Sequence, residues 1–254
     1  LKPSGPELAS SGPARPWGRP LPSLQTMGQI LFKGGRPRRL PAMKLQYLDV
    51  APPVSGRGGA VRFFLLANAL AFEEELVSAE EWRGAKQKVV ELGIAPSGHL
   101  PILYLDGRPY PEHLSMMRLV ARLARLDLAS DPFALYAQDV ISDAYVDWRD
   151  EWAKAHFDGD EEDRARYRET VPRRLAEFEA LFMAYATSEP FLNGARPLWG
   201  DSALFSLISD NLVTGMLSDE HLKAHPRLYS LYSAYMAMPP VQAWFSRSSG
   251  AGIV

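Results

Sequence analysis

Short apolar and alternating segments typical of β-strands begin at Leu45 and recur through residue 110. They lie at 45–50, 72–77, 101–105 and 108–110, and Asp106-Gly107 joins the last two with residues typical of a tight hairpin turn. Segments with apolar residues at helical spacing lie at 61–70, 80–92 and 114–126. The sequence therefore predicts a small α/β unit with the order β-α-β-α-β-β-α.

The pattern after residue 131 is helical throughout. Asp131 followed by Pro132 is typical of a helix start, with an N-cap residue and proline in the first turn. Helical spacing stops at 158–160, resumes over 161–187, and returns at 201–212, 218–223, 226–236 and 241–245. We therefore predict two folded domains: a thioredoxin-like α/β domain at 43–126 and an all-α domain at 131–254.

The first 42 residues differ from this pattern. They are rich in proline, glycine and arginine, and Glu7 is their one acidic residue. Without apolar periodicity such a segment does not form a packed core, so we expect disorder. An arginine-rich, acid-poor leader is compatible with organelle targeting. We favour the alternative, upstream or non-native sequence ahead of a natural start at Met43, and we expect a cytoplasmic protein.

The composition narrows the chemistry. The chain has no cysteine, which excludes disulfides, thiolate metal sites and a cysteine nucleophile, so a bound cosubstrate must supply the sulfur for any thiol reaction. The net charge of −2 indicates no bulk attraction to nucleic acid or to an anionic membrane. The apolar runs are shorter than the roughly 20 residues that span a bilayer. The histidines lack the spacing of metal ligands, so we predict no metal site.

Five segments of the chain resemble the glutathione transferases, in order and in spacing. They read KLQYLDV…GRGGAVRFFL, EEWRGAK, GHLPILYLDG, AQDVISDAYVDW and HPRLYSLYSAYMAMPPVQAWF. The resemblance extends from Met43 to Ser246 and is greatest to the sigma class, which includes the glutathione-dependent prostaglandin D synthases. It implies a thioredoxin-like domain joined to an all-α domain, glutathione as cosubstrate, hydrophobic electrophiles as substrates, a role in detoxification and a homodimer.

The resemblance implies that Tyr47 and Arg57 carry the catalysis. Tyr47 matches the tyrosine whose hydroxyl donates a hydrogen bond to the glutathione sulfur. Such a donor stabilises the thiolate and lowers the thiol pKa, which is ordinarily about 8.5. Arg57 matches an arginine that orders the active-site loop. The alternatives are a tyrosine packed in the core and a solvated turn charge. The loop between these two residues is longer than is usual in the family, so substrate preference does not transfer.

Four further residues match family positions that bind the glycine and cysteine parts of glutathione. Trp82 and Lys86 lie four residues apart on one predicted helix face, where the resemblance implies contact with the glycine carboxylate. A lysine stem packed over the ring is the alternative. Leu100 would pair its backbone with the cysteinyl part, and the bond to Pro101 is predicted to be cis. The loop between Lys86 and this segment also exceeds the family's usual length.

The γ-glutamyl part is assigned to three residues by the same resemblance. Glu112 would bind the ammonium group, while the helix that begins beside it would present N–H groups to the carboxylate. His113 stands where the family usually has a serine, and this replacement puts ordinary glutathione binding in question. Asp147 would contact the amine of glutathione bound in the neighbouring subunit. Asp139 and Asp143 share its helix face, and we interpret Asp139 as part of a solvated acidic stripe.

Two more expectations concern the helical domain. Leu198 replaces the serine or threonine that the family uses to cap the helix at 201–212, so we expect Asp201 and packing to restrain that helix start. Aromatic residues are candidates for lining a substrate cleft, with burial in the core as the alternative: Phe63, Tyr145, Trp148, Trp152 and Trp199.

The sequence leaves two functions open. The first is a glutathione transferase that activates the thiol through Tyr47. The second is a non-catalytic module with the same fold, serving as a scaffold, a structural protein or a ligand carrier. His113, Leu198 and the altered loops favour the second function. Retention of the matched residues favours the first.

Overall fold

The structure, a computed structural model, describes residues 39–50, 53–126 and 131–249. Most of the predicted leader lies outside the described residues. Those from Leu40 onward belong to one compact unit.

The sheet has four strands in the order β2-β1-β3-β4. Strand β1 (Met43–Leu48) pairs in parallel with β2 (Glu73–Val77) and antiparallel with β3 (Ile102–Leu105), which pairs antiparallel with β4 (Arg108–Pro111). Burial alternates along β1, with Met43, Leu45 and Tyr47 inside, as the period of two requires. The tyrosine side chain therefore faces the interior.

The helices of this part complete the predicted order. Helix α1 (Gly56–Ala67) follows β1, α2 (Ala79–Glu91) follows β2, and α3 (His113–Leu123) follows β4. Helix α1 begins five residues earlier than its apolar periodicity predicts. The glycine-rich segment there forms the first helical turn because another helix binds its backbone N–H groups.

The remaining described residues are helical, as predicted. Helix α4 (Pro132–Ala153) starts at an Asp131 side chain that accepts hydrogen bonds from the backbone of Phe133 and Ala134. A π-helical turn at Lys154–Asp158 separates it from α5 (Glu161–Tyr185). The later helices are α6 (Trp199–Val213), α7 (Asp219–Lys223), α8 (Pro226–Met236) and α9 (Pro239–Ser249). The last is longer at both ends than the predicted 241–245.

Helix α6 runs through the centre of the core and packs on both α1 and α4. Its first turn is restrained as predicted by Asp201, which is fully buried and accepts hydrogen bonds from the backbone N–H groups of Leu198 (3.0 Å) and Leu192 (2.9 Å). Phe63 of α1 meets Phe205 of α6 edge to face, with 5.0 Å between ring centroids. The α/β part and the helical part therefore share one core.

Candidate functional site

A cavity of about 460 Å³ opens between the start of α1, the turn before β3, the start of α3 and one face of α4. Its walls are both polar and apolar, and its lining residues are Arg57, His99, Leu100, Pro101, Glu112, His113, Leu114, Ser115, Arg118 and Val146. Five of the nine predicted site residues are among them, although they come from separate segments of the chain: Arg57, Leu100, Pro101, Glu112 and His113.

The turn before β3 forms one side of this cavity. The bond between Leu100 and Pro101 is cis, as the sequence predicts. Gly98 precedes them with a φ of +66°, in the left-handed region that favours glycine. A side chain at this position would also press against the stem of Lys86.

The start of α3 forms the opposite side. Glu112 has a φ of +70°, which is rare for a residue with a Cβ, and its side chain makes no capping hydrogen bond to the helix. A carboxylate and the free N–H groups of a helix N-terminus therefore lie next to each other at the cavity wall. Such an arrangement can bind a cation and an anion belonging to one small ligand.

His113 is almost completely buried beside this wall, and its ring lies 5.7 Å from that of Tyr145. Burial lowers the pKa of His113 to about 3, and the positive charges of Arg57, Arg149 and Arg118 act in the same direction. The imidazole is therefore neutral near pH 7. Its Nε2 has no hydrogen-bond partner among the described residues. Among the residues that line the cavity, Ser115 carries the hydroxyl nearest to His113 in sequence.

Tyr47 lies behind the first turn of α1 and is not among the residues that line the cavity. Its side chain is 7% exposed, and the ring packs so closely on Gly56 and Gly58 that a Cβ at either glycine would collide with it. Burial raises the pKa of the Tyr47 phenol, while the charge of Arg149 and a hydrogen bond from the Gly58 backbone act against this rise. The phenol therefore stays protonated near pH 7.

Arg57, which stands between these two glycines, does reach the cavity. Its guanidinium forms an ion pair with Asp150 of α4, and both side chains are partly exposed to solvent. The alternative, a solvated turn charge, fits the partial exposure of the Arg57 side chain, but the ion pair also connects α1 to α4 at the cavity wall.

The first turn of α1 is held from outside its own helix. Ser55, the N-cap residue, makes no side-chain capping bond to α1. Instead, the Ser55 N–H (2.7 Å), the Ser55 hydroxyl (2.9 Å) and the Gly56 N–H (2.9 Å) all donate to the carboxylate of Asp210 on α6. Arg149 of α4 donates to the same carboxylate. Sequence reasoning missed this arrangement, since 154 residues separate Gly56 from Asp210.

The other predicted binding residues lie on neighbouring surfaces. Trp82 and Lys86 share a face of α2, but neither lines the cavity, and Trp82 is partly buried against the small apolar cluster around Tyr47 and Leu100. Asp147 is exposed on α4, next to the cavity-lining Val146.

Two interpretations of the helical part change with the structure. The Asp139 side chain remains partly exposed to solvent, but it also accepts hydrogen bonds from Arg118 Nε (2.8 Å) and Trp199 Nε1 (3.0 Å). The five aromatic residues proposed to line a cleft belong instead to the core, with exposures of at most 3%: Phe63, Tyr145, Trp148, Trp152 and Trp199. Their helical spacing reflects core packing, which was the stated alternative.

Within the described ranges, no group of three or more His, Asp or Glu side chains lies close enough to hold a metal ion. Among the helices of those ranges, none is both long and apolar enough to cross a membrane.

Part of the chain matches a known family, and curated relatives match most of its length. Residues 146–248 match the family described as "Glutathione S-transferase, C-terminal domain". A curated relative, "Glutathione S-transferase P" of Caenorhabditis elegans, is 22% identical over 206 residues, covering 81% of this chain and 92% of that protein. "S-crystallin 2" of Enteroctopus dofleini is 22% identical over 228 residues, covering 83% and 98%.

The solved structures agree on the fold. The structure of prostaglandin synthase D of Nilaparvata lugens superposes with a TM-score of 0.64 at 22% identity, covering 82% of this chain and 98% of that one. The predicted fold, a thioredoxin-like part joined to an all-helical part, is confirmed. The chain is similar to the glutathione transferases, and the enzyme class predicted from its sequence is the one that several of its curated relatives carry by name.

Proposed function

We propose that this protein binds glutathione in the cavity and activates its thiol through Tyr47 for attack on a hydrophobic electrophile. One observation supports this most: Arg57, Leu100 and Glu112, which come from three separate segments, line the same cavity of about 460 Å³. Glutathione is an extended tripeptide with an ammonium group and two carboxylates. A cavity with polar and apolar walls and both charge signs suits such a ligand.

Each part of glutathione has a partner in this proposal. The Glu112 carboxylate binds the γ-glutamyl ammonium group, and the N–H groups at the start of α3 bind the neighbouring carboxylate. The backbone of Leu100 pairs with the cysteinyl part. Trp82 and Lys86, on the adjoining face of α2, contact the glycine carboxylate. Neutral His113 contributes an N–H donor where the family usually has a hydroxyl.

Tyr47 supplies the chemistry at the sulfur. Because its pKa is raised, the phenol keeps its proton and acts as a hydrogen-bond donor. The thiol releases its proton to solvent, and the phenol stabilises the resulting thiolate. The sulfur then forms a bond to the electrophilic carbon while the leaving group, chloride in a chloronitrobenzene, departs with the electron pair of its bond. Since Tyr47 does not line the cavity, the sulfur must reach the hydroxyl along the edge of the first turn of α1, beside Arg57.

The proposal also covers the group within the family, the compartment, the metal content and the oligomeric state. We place the protein in the sigma group of the family, in the cytoplasm, without a metal, and as a homodimer in which Asp147 contacts glutathione in the partner's cavity. The exposed position of Asp147 on α4 supports this last role. We also assign the protein a role in detoxification.

Two assays on the purified protein test the proposal together. Retention on glutathione-agarose reports binding, and conjugation of glutathione to a chloronitrobenzene reports turnover. We expect both. Absence of retention would contradict the assignment of the cavity.

A second candidate function is a non-catalytic scaffold with the same fold. One specific observation favours it: Tyr47 is 7% exposed and packs behind α1, away from the cavity lining. The similarity to S-crystallin 2 is compatible with this alternative. Retention on glutathione-agarose without turnover of the chloronitrobenzene, or of a peroxide substrate, would support the scaffold.

A further inference from the structure

The start of α1 contacts the Tyr47 ring on one side and the Asp210 carboxylate on the other, and these contacts together determine its position. On one side, Gly56 and Gly58 are in contact with the Tyr47 ring, with no room for a Cβ. On the other side, the Asp210 carboxylate accepts three hydrogen bonds from Ser55 and Gly56, at 2.7–2.9 Å. The turn therefore cannot shift toward Tyr47 without a collision, or away from it without breaking bonds to Asp210.

The Asp210 carboxylate is itself fixed by the helical part of the molecule. It is fully buried on α6, and Arg149 of α4 donates to it at 2.5 Å. A second nitrogen of Arg149 donates to the Ser206 hydroxyl at 3.1 Å. The four hydrogen bonds to Asp210 occupy both of its oxygens, so the carboxylate is held in one orientation.

We infer that Asp210, held by Arg149, is the positioning residue of the active site. It fixes the first turn of α1, which places the Gly58 N–H against the Tyr47 phenol and Arg57 in the cavity wall. Asp210 does not touch the cavity and acts through this turn. The inference rests on the proposed function for its effect on catalysis, while the position of the turn can be measured independently.

The test compares Asp210→Asn with Asp201→Asn. Both aspartates are fully buried on α6 and accept backbone hydrogen bonds, but Asp201 serves Leu192 and Leu198 instead of α1. An asparagine at 210 has one acceptor oxygen and cannot satisfy Ser55, Gly56 and Arg149 together. Small misplacements of a reacting group greatly lower the reaction rate, so we expect kcat to fall about a hundredfold in Asp210→Asn.

A second readout separates positioning from loss of folded protein. In Asp210→Asn, KM for glutathione should change much less than kcat, because the residues assigned to its binding lie on other segments and only Arg57 of the cavity wall lies on this turn. Amide hydrogen exchange at Ser55, Gly56 and Gly58 should accelerate. Asp201→Asn should leave kcat and these three amides unchanged, even where it lowers the melting temperature.

A milder variant keeps the test decisive if Asp210→Asn does not fold. Ser55→Ala removes one of the three hydrogen bonds and leaves the ion pair intact, so we expect smaller changes in the same two readouts. Normal exchange at 55–58 in both variants would overturn the inference. Normal kcat in an active enzyme would also overturn it. If the wild-type protein conjugates nothing, the proposed function fails, and hydrogen exchange still decides whether Asp210 holds the turn.

Discussion

Arg149 and Asp210 form an ion pair across the core, with 2.5 Å between Nη1 and Oδ2 and side-chain exposures of 1% and 0%. The pair joins α4 to α6, and through the hydrogen bonds of Ser55 and Gly56 it joins both to α1. Removing one member of a buried pair leaves the other charge without compensation.

Arg149→Met should therefore destabilise the protein strongly. We expect the free energy of unfolding to fall by about 3–5 kcal/mol, measured by urea denaturation at pH 7. Arg173→Met, which removes an exposed ion pair with Glu177, should cost less than about 1 kcal/mol. Equal effects of the two substitutions would show that the buried pair has no special importance for folding.

Tyr47→Phe tests the proposed thiol activation. Loss of the hydroxyl should reduce kcat by a factor of about 100 to 1,000, by analogy with the removal of one oxyanion donor. Retention on glutathione-agarose should persist, because the phenol does not line the cavity. Tyr104→Phe, at a partly buried tyrosine of β3, serves as the control with normal kcat. Undiminished turnover in Tyr47→Phe would exclude the phenol from the mechanism.

Glu112→Gln tests the assigned ammonium partner. A hydrogen bond to a charged group contributes about 1.5–3 kcal/mol, so KM for glutathione should rise about tenfold or more. A glutathione analogue without the α-amino group sharpens the measurement, since wild type and variant should bind it equally. Glu91→Gln, on the exposed side of α2, should behave as wild type. A loss of analogue binding in Glu112→Gln as large as the loss of glutathione binding would contradict the assignment.

His113 should make stability depend on pH. Its folded-state pKa of about 3 lies below the ordinary value of 6.5, so the unfolded chain binds a proton more readily between these values. The free energy of unfolding should therefore fall by about 1.4 kcal/mol per unit as pH drops below about 6.5, and this contribution should level off near pH 3.

His113→Asn should flatten that dependence, because asparagine does not titrate. Denaturation curves at pH 7 and pH 5 measure the difference between variant and wild type. His221→Gln, at an exposed histidine, should leave the slope unchanged. If His113→Asn and wild type lose the same stability between the two pH values, burial of His113 is not the cause.

An exposed apolar patch on α4 and α5 favours the proposed homodimer. Phe133, Met183 and Tyr136 are 83%, 69% and 55% exposed, and Tyr136 contacts Tyr185 of α5. Such patches are typical of interaction surfaces. The double variant Phe133→Glu with Met183→Glu should sediment as a monomer, whereas Phe157→Glu, an exposed aromatic elsewhere, should remain dimeric. A monomeric wild type would contradict the proposal.

The order of elements follows from local patterns, and for that reason it could be read from the sequence. Apolar periodicity located every strand of the described sheet within two residues, and Asp131 with Pro132 fixed the start of α4. The family resemblance placed Leu100, Pro101 and Glu112 in the candidate site, because each lies within a short contiguous stretch of sequence.

The remaining features depend on packing between distant segments. Nothing near Ser55 reveals that Asp210 replaces its local cap, and nothing near Asp139 reveals its bonds to Arg118 and Trp199. The early start of α1 has the same origin, because its N–H groups are satisfied from α6. Aromatic residues at helical spacing do not disclose whether they face a cleft or the core.

The close contact of Tyr47 with Gly56 and Gly58 restricts which sequences this site tolerates. Gly56 also has a φ of +60°, so an alanine there would be strained in addition to striking the hydroxyl. At position 58, an alanine methyl would collide with the Tyr47 ring itself. Steric contact alone therefore excludes other residues at these two positions, whether the protein is an enzyme or a scaffold. A glycine found there in a related chain is no proof of catalysis.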